Sequence, residues 1–156
     1  LLRDPPIPAS ETPILLLCEQ DLRGIRNLAS HPWFMWTFDG LSYSTIEVYA
    51  PGNMSSVGTY GNIYYFELLP RDFSYLTRTD RDGRVRRTYS GDVAKQAITW
   101  IIKNYRNYQY YDKYEYFPGP NSNTFIQWII DSMKKDGIIL DGADLSSVAF
   151  GKDYGK

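Results

Sequence analysis

The chain predicts an α+β domain in which an antiparallel sheet packs against two main helices. Three observations carry this. Strand-like apolar runs crowd the first half of the chain, an Asp-Gly turn joins two of them, and the two stretches of helical spacing fall late instead of alternating with strands.

Residues 1–13 hold Pro5, Pro6, Pro8 and Pro13 and few large apolar groups, so they read as an extended arm ahead of a single domain over 14–156. Ile14 to Cys18 (ILLLC) is a short continuous apolar run, as expected of a strand buried on both faces. His31 to Phe38 (HPWFMWTF) is an aromatic strand ending at the Asp39-Gly40 turn. Tyr43 to Tyr49 (YSTIEVY) follows as its hairpin partner, rich in β-branched and aromatic residues. The segment 50–62 (APGNMSSVGTYGN) is loop, and Ile63 to Leu69 is a further strand.

RTDRDGRVRR, 78–87, sets five arginines against two aspartates around Asp82-Gly83 and reads as a solvated loop or, alternatively, an anion or partner contact. Ser90 stands as an N-cap with Asp92 near the positive helix end. Val93, Ala94, Ala97, Ile98, Ile101, Ile102 and Tyr105 then recur at helical spacing, predicting a helix to about residue 104. Tyr114 to Phe117 reads as a strand stopped at Pro118. Phe125, Trp128, Ile129 and Met133 predict a second helix from near Ser122 to just before Gly137, followed by an irregular tail.

Composition excludes several functions. The chain has 156 residues, 43% of them hydrophobic, enough for one core, and a net charge of -1 that offers no overall attraction to nucleic acid. The tyrosine-rich run 105–117 interleaves basic residues, but Asp112 and Glu115 cancel much of that charge, so no nucleic-acid partner is expected. With one cysteine, Cys18, and one histidine, His31, the usual zinc-ligand set cannot be assembled, and no metal or cofactor is expected. Cys18, deep in its apolar run, reads as a small core residue. The glycines of 50–62 lack the GK[ST] ending of a phosphate-binding loop. No apolar run approaches the roughly 20 residues that cross a bilayer, so membrane association is expected only through partners. A chain beginning at Leu1 is compatible with removal of a targeting peptide.

The stretch that asks for chemistry is PGPNSNTF, 118–125, which places one serine between two asparagines at a helix start. Such a position offers free N–H groups and the positive helix end, both favourable to an oxyanion. A serine also needs a base within hydrogen-bond reach, and His31 is the single histidine. On spacing alone capping is the simpler account: Ser122, Asn121 or Asn123 closes the helix and His31 is a packed ring.

PGPNSNTF with the preceding YEYF, the earlier ASHPWFMW and the terminal VAFGKDYG resemble a bacterial domain-of-unknown-function family, number 3750. The arrangement of an early strand histidine and a late Asn-nucleophile-Asn/Glu-x-Phe helix start is in turn similar to the circularly permuted papain-like hydrolases: NlpC-type peptidases, lecithin:retinol acyltransferase-like proteins and PPPDE isopeptidases. That similarity implies a permuted papain-like fold, with Ser122 at the nucleophile position where those enzymes carry cysteine, and His31 as the base. The third member, which orients the imidazole, comes from the following strand, where Tyr43 and Glu47 stand; a carboxylate suits the role and points to Glu47, while on pattern alone Glu47 reads more simply as a solvent-facing strand residue.

Two functions follow. In the first, the weaker serine nucleophile marks a non-catalytic papain-like protein that serves as a binding or accessory subunit of a larger assembly. Its contacts to other protein subunits would run through the proline-rich arm and a tyrosine-rich surface. In the second, the protein is a hydrolase or acyltransferase acting on an amide, ester or thioester through a Ser122/His31 dyad.

Overall fold

The computed structural model describes residues 13–22, 30–52, 59–68 and 72–156. The proline-rich arm lies almost wholly outside the described residues, as does residue 69, the expected end of the fourth apolar run.

The apolar run at the start of the domain becomes the centre of a sheet. Strand β1, Ile14–Asp21, pairs antiparallel with β2, Ser30–Thr37, on one side and with β6, Gly83–Ser90, on the other. The hairpin forms as its turn chemistry requires: the Asp39 carboxylate accepts the N–H groups of Leu41 and Ser42, and β2 folds back onto β3, Tyr43–Val48, with Phe34 opposite Ile46. Strand β5, Ile63–Leu68, and the two-residue β4, Thr59–Tyr60, complete an antiparallel order β4-β5-β3-β2-β1-β6. The described residues thus form one α+β domain, a six-stranded antiparallel sheet with helices α1 (Phe73–Thr77), α2 (Gly91–Asn104) and α3 (Ser122–Lys135).

Because β1 is buried on both faces, its alternate residues feed two cores. Leu15 and Leu17, with Phe34, Trp36 and Ile46, meet Ala97, Ile98 and Ile101 of α2 and Phe125, Ile126, Ile129 and Met133 of α3. Ile14, Leu16 and Cys18 turn the other way, with Trp33, Met35 and Tyr43, against Leu76 of α1. Each fully buried large side chain contributes about 1.5–3 kcal/mol relative to exposure, so both layers are substantial.

Two expectations are corrected. The arginine-rich stretch is not a loop from Gly83 onward but the edge strand β6. Its charges suit an edge and answer acids on the neighbouring strand, Arg84 bonding Glu19 at 3.0 Å and Asp21 at 3.1 Å. Tyr114 to Phe117 is not a strand: the Glu115 N–H donates to the Pro120 carbonyl at 2.8 Å, closing a loop in place of a ladder. Of its aromatic residues Tyr114 packs onto the helix-side core, whereas Tyr116 and Phe117 are exposed. Of the tyrosines, Tyr43, Tyr64, Tyr105 and Tyr108 are buried, Tyr60, Tyr65, Tyr110, Tyr111 and Tyr114 pack partly buried onto the helix-side core, and Tyr75 and Tyr116 are exposed.

The irregular tail, 136–156, is tied down by polar contacts. Arg86 donates to the carbonyls of Ala143 and Asp144, and Gln127 of α3 accepts from the Leu145 N–H at 2.9 Å while donating to Asp144. The tail therefore closes over the start of α3.

Candidate functional site

The start of α3 is built by Asn121, not Ser122. Asn121 is the N-cap: its side-chain oxygen accepts the N–H groups of Asn123 (3.0 Å) and Thr124 (3.3 Å), and the Thr124 hydroxyl accepts the Asn121 N–H, completing a reciprocal capping box. The tail locks this turn in place. Thr124 donates to the Gly151 carbonyl at 2.6 Å, Asn123 to the Phe150 carbonyl at 3.0 Å and Asn121 to the Tyr116 carbonyl at 2.9 Å. Gly151, at φ +84°, is close enough that a Cβ there would lie 2.5 Å from the Asn121 amide nitrogen. The terminal VAFGKDYG and the PGPNSNTF block are therefore one structural unit.

This frees Ser122 from capping. It is the first helical residue, nearly buried, and its side chain takes no part in the cap. The first-turn N–H groups are also largely committed: Asn121 takes those of Asn123, Thr124 and, through its carbonyl, Phe125. The N–H of Ser122 itself is the donor outside that set. The expectation that several helix-start N–H groups face a ligand is corrected accordingly. Ser90 caps α2 by position, but without a side-chain hydrogen bond.

His31 enters from the other layer. It precedes Trp33 by two residues on β2 and so turns to the α1 face, where its ring lies 6.0 Å from that of Trp33 and 4.6 Å from that of Tyr49. Its Nε2 is 2.7 Å from Glu47 Oε2 on β3. Glu47 is fully buried and is gripped from the other side by Arg78, whose Nη2 is 2.6 Å from Oε1 and Nη1 3.2 Å from Oε2. The guanidinium carbon lies 4.1 Å from the Trp33 ring centroid. Burial alone drives the Glu47 carboxyl upward, but the His31 bond and charge and the Arg78 guanidinium together hold it below its ordinary value of 4.5. Arg78 is held above its ordinary value: Glu47 outweighs the burial that pulls it down. Burial, and then the nearby Glu47, push the Tyr49 phenol up. Burial also pushes up the Cys18 thiol, which lies in the same layer.

The two halves meet at a cavity of about 440 Å³ at the end of β2. His31, Tyr49, Tyr114, Asn121, Ser122 and Phe150 are among the residues that line it. Ser122 and His31 thus open onto one space, approached from the α3 and α1 sides of the sheet. The ring's hydrogen bond goes to Glu47 and not to Ser122. Among the described residues no three His, Cys, Asp or Glu side chains gather as a metal site, and no helix is long and apolar enough to cross a membrane.

A family model described as "Protein of unknown function (DUF3750)" matches residues 15–154. The chain belongs to that family. The match runs from β1 to the last turn of the tail, so the sheet, both long helices and the tail over α3 are all part of the DUF3750 unit. No curated protein and no solved structure matches the chain.

Sequence reasoning missed Arg78 and Tyr49. Arg78 stands 31 residues from its carboxylate, within a run of arginines whose other members serve the sheet edge, the tail or the surface, and nothing in its spacing separates it from them. Tyr49 had a weak signal, an aromatic two residues after Glu47 on the same strand face.

Proposed function

We propose that the protein is an acyl-transfer hydrolase of papain-like design, acting on an amide, ester or thioester, with Ser122 as nucleophile, His31 as base and Glu47 as the group that orients the imidazole. The observation that carries this reading is the shared cavity: a serine relieved of capping by Asn121 and a histidine held by a buried carboxylate line the same space.

With Glu47 ionised, His31 Nε2 carries the hydrogen it shares with Oε2, and Nδ1 keeps its lone pair. Ser122 Oγ attacks the carbonyl carbon while its proton passes to Nδ1, and the carbonyl electron pair moves onto oxygen beside the Ser122 N–H. The imidazolium, stabilised by Glu47, returns the proton to the leaving nitrogen, oxygen or sulfur as its bond to carbon breaks. Water, deprotonated by the same ring, then hydrolyses the acyl-serine. An alcohol in place of a thiol makes turnover modest, because the helix end stabilises charge by about 1 kcal/mol and leaves an alkoxide far from neutrality. A fluorophosphonate probe tests the assignment: Ser122 Oγ bonds phosphorus as fluoride leaves. The expected result is one adduct, on Ser122, lost in His31→Ala; labelling elsewhere, or none, overturns it.

One observation favours the accessory-subunit reading: Phe117, Tyr116 and Phe150 stand exposed beside the cavity, an apolar rim suited to a protein partner. Size exclusion of native material separates the two, since a lone 18 kDa species counts against a stable assembly.

A further inference from the structure

Arg78 is the charged residue that the chemistry above leaves unused, and its placement is costly. It sits at φ +58° without being glycine, closing α1 with its N–H on the carbonyls of Ser74 and Tyr75. The turn behind it needs Gly83: its N–H donates to the Arg78 carbonyl at 2.7 Å, and a Cβ there would lie 2.4 Å from the Thr77 carbonyl oxygen and 2.5 Å from that of Arg78. Such a local conformation costs about 1 kcal/mol or more and persists where its surroundings dictate it. Here its outcome is a guanidinium laid over Trp33 with both arms on Glu47.

We propose that Arg78 is the positioning residue of this site: by holding Glu47 as an ionised carboxylate it fixes the His31 ring in the form with hydrogen on Nε2, which leaves Nδ1 as the ring nitrogen available to the cavity. Arginine is donor-only, so two of its N–H groups on one carboxyl require that both oxygens accept. A guanidinium with both arms on one carboxyl stabilises the ionised form, which has no hydrogen to give to the imidazole, so the short contact at Nε2 places the hydrogen on the ring. The Tyr49 phenol also lies within hydrogen-bonding reach of Glu47, and a neutral O–H there favours the same ionised carboxylate. Cys18 from β1 and Tyr49 beyond β3 are both kept neutral, and the aromatic walls of Trp33 and Tyr49 exclude alternative acceptors on either side of the ring. An uncompensated carboxylate at this depth would instead take up a proton, which frees the imidazole to flip or change tautomer.

The inference rests on the proposed hydrolase only for its effect on turnover; the ring state stands without it. Because the chain has a single histidine, protein labelled with ¹⁵N-histidine yields one pair of ring nitrogens in a long-range ¹H–¹⁵N correlation. At a pH where the ring is neutral, the wild type is expected to show a protonated Nε2 and an unprotonated Nδ1. Arg78→Met is expected to move the pair to a mixture of tautomers, and Arg78→Lys, which keeps the charge but loses the fork, to shift Nε2 measurably. A wild-type ring protonated on Nδ1 overturns the proposal whether or not either variant folds. So does a folded Arg78→Met with the wild-type pattern, or an unshifted Arg78→Lys. If the ring depends on Arg78 as stated while Ser122 takes up no fluorophosphonate, the positioning role stands and the catalytic reading falls.

Discussion

Replacing Asn121 and Ser122 in turn by alanine separates the structural from the chemical use of the helix start. Asn121→Ala removes a buried acceptor for two first-turn N–H groups and the donor to the part-buried Tyr116 carbonyl. A lost cap costs about 1–2 kcal/mol and the lost bond to a part-buried carbonyl about 0.5–1.5 kcal/mol, so a loss of about 1.5–3.5 kcal/mol is expected. Ser122→Ala removes a hydroxyl that takes no part in the cap, and a change within about 0.5 kcal/mol is expected. Urea unfolding followed by tryptophan fluorescence reads both. At a slope of about 2 kcal/mol/M, Asn121→Ala lowers the midpoint by roughly 1–2 M and Ser122→Ala leaves it nearly unchanged. A Ser122→Ala variant as destabilised as Asn121→Ala would refute the assignment of capping to Asn121.

The buried ion pair gives two further predictions. Arg78→Met or Glu47→Leu alone strands a charged partner and is expected to cost about 3–5 kcal/mol, whereas the double variant recovers much of that loss; a double-mutant cycle by urea unfolding checks it, and additive losses contradict it. Acid stability follows from the depressed Glu47 carboxyl. Its contribution is full above the unfolded-state value near 4.5 and disappears as pH falls through the lower folded value, so the unfolding midpoint drops on acidification below about pH 4.5. Glu47→Gln is expected to flatten that dependence, as read by thermal melts between pH 3 and 6.

The parts of the fold visible in the sequence were those with strong local signals. The ILLLC run, the Asp39-Gly40 turn and the spacing of Ala94, Ala97, Ile98 and Ile101 each fix an element through burial period or turn chemistry, and the first long helix ends at Asn104, within the expected boundary. Strand β6 was hidden because an edge strand needs few apolar residues and its arginines serve the neighbouring strand. Tyr114 to Phe117 misled in the opposite way: its aromatic residues have high strand propensity, but the nearby prolines and the bond from Glu115 to Pro120 take its backbone elsewhere. At the site, Ser122, His31 and Glu47 were legible as chemistry-bearing types in suggestive positions. The division of labour between Asn121 and Ser122 was not, because three adjacent polar residues at a helix start are interchangeable until the backbone shows which one precedes the first turn. Arg78 depends on a contact across 31 residues of chain that no local pattern encodes.

The claim that a helix-start side chain and an imidazole form one reactive pair is tested most directly by Ser122→Cys. Alkylation by iodoacetamide as a function of pH reads the new thiol alone, since Cys18 is buried and its thiol is pushed upward. The account predicts a thiol that titrates well below its usual value of about 8.5 and returns toward it when His31→Ala is added. A thiol at or above about 8.5, indifferent to the loss of His31, would contradict the account.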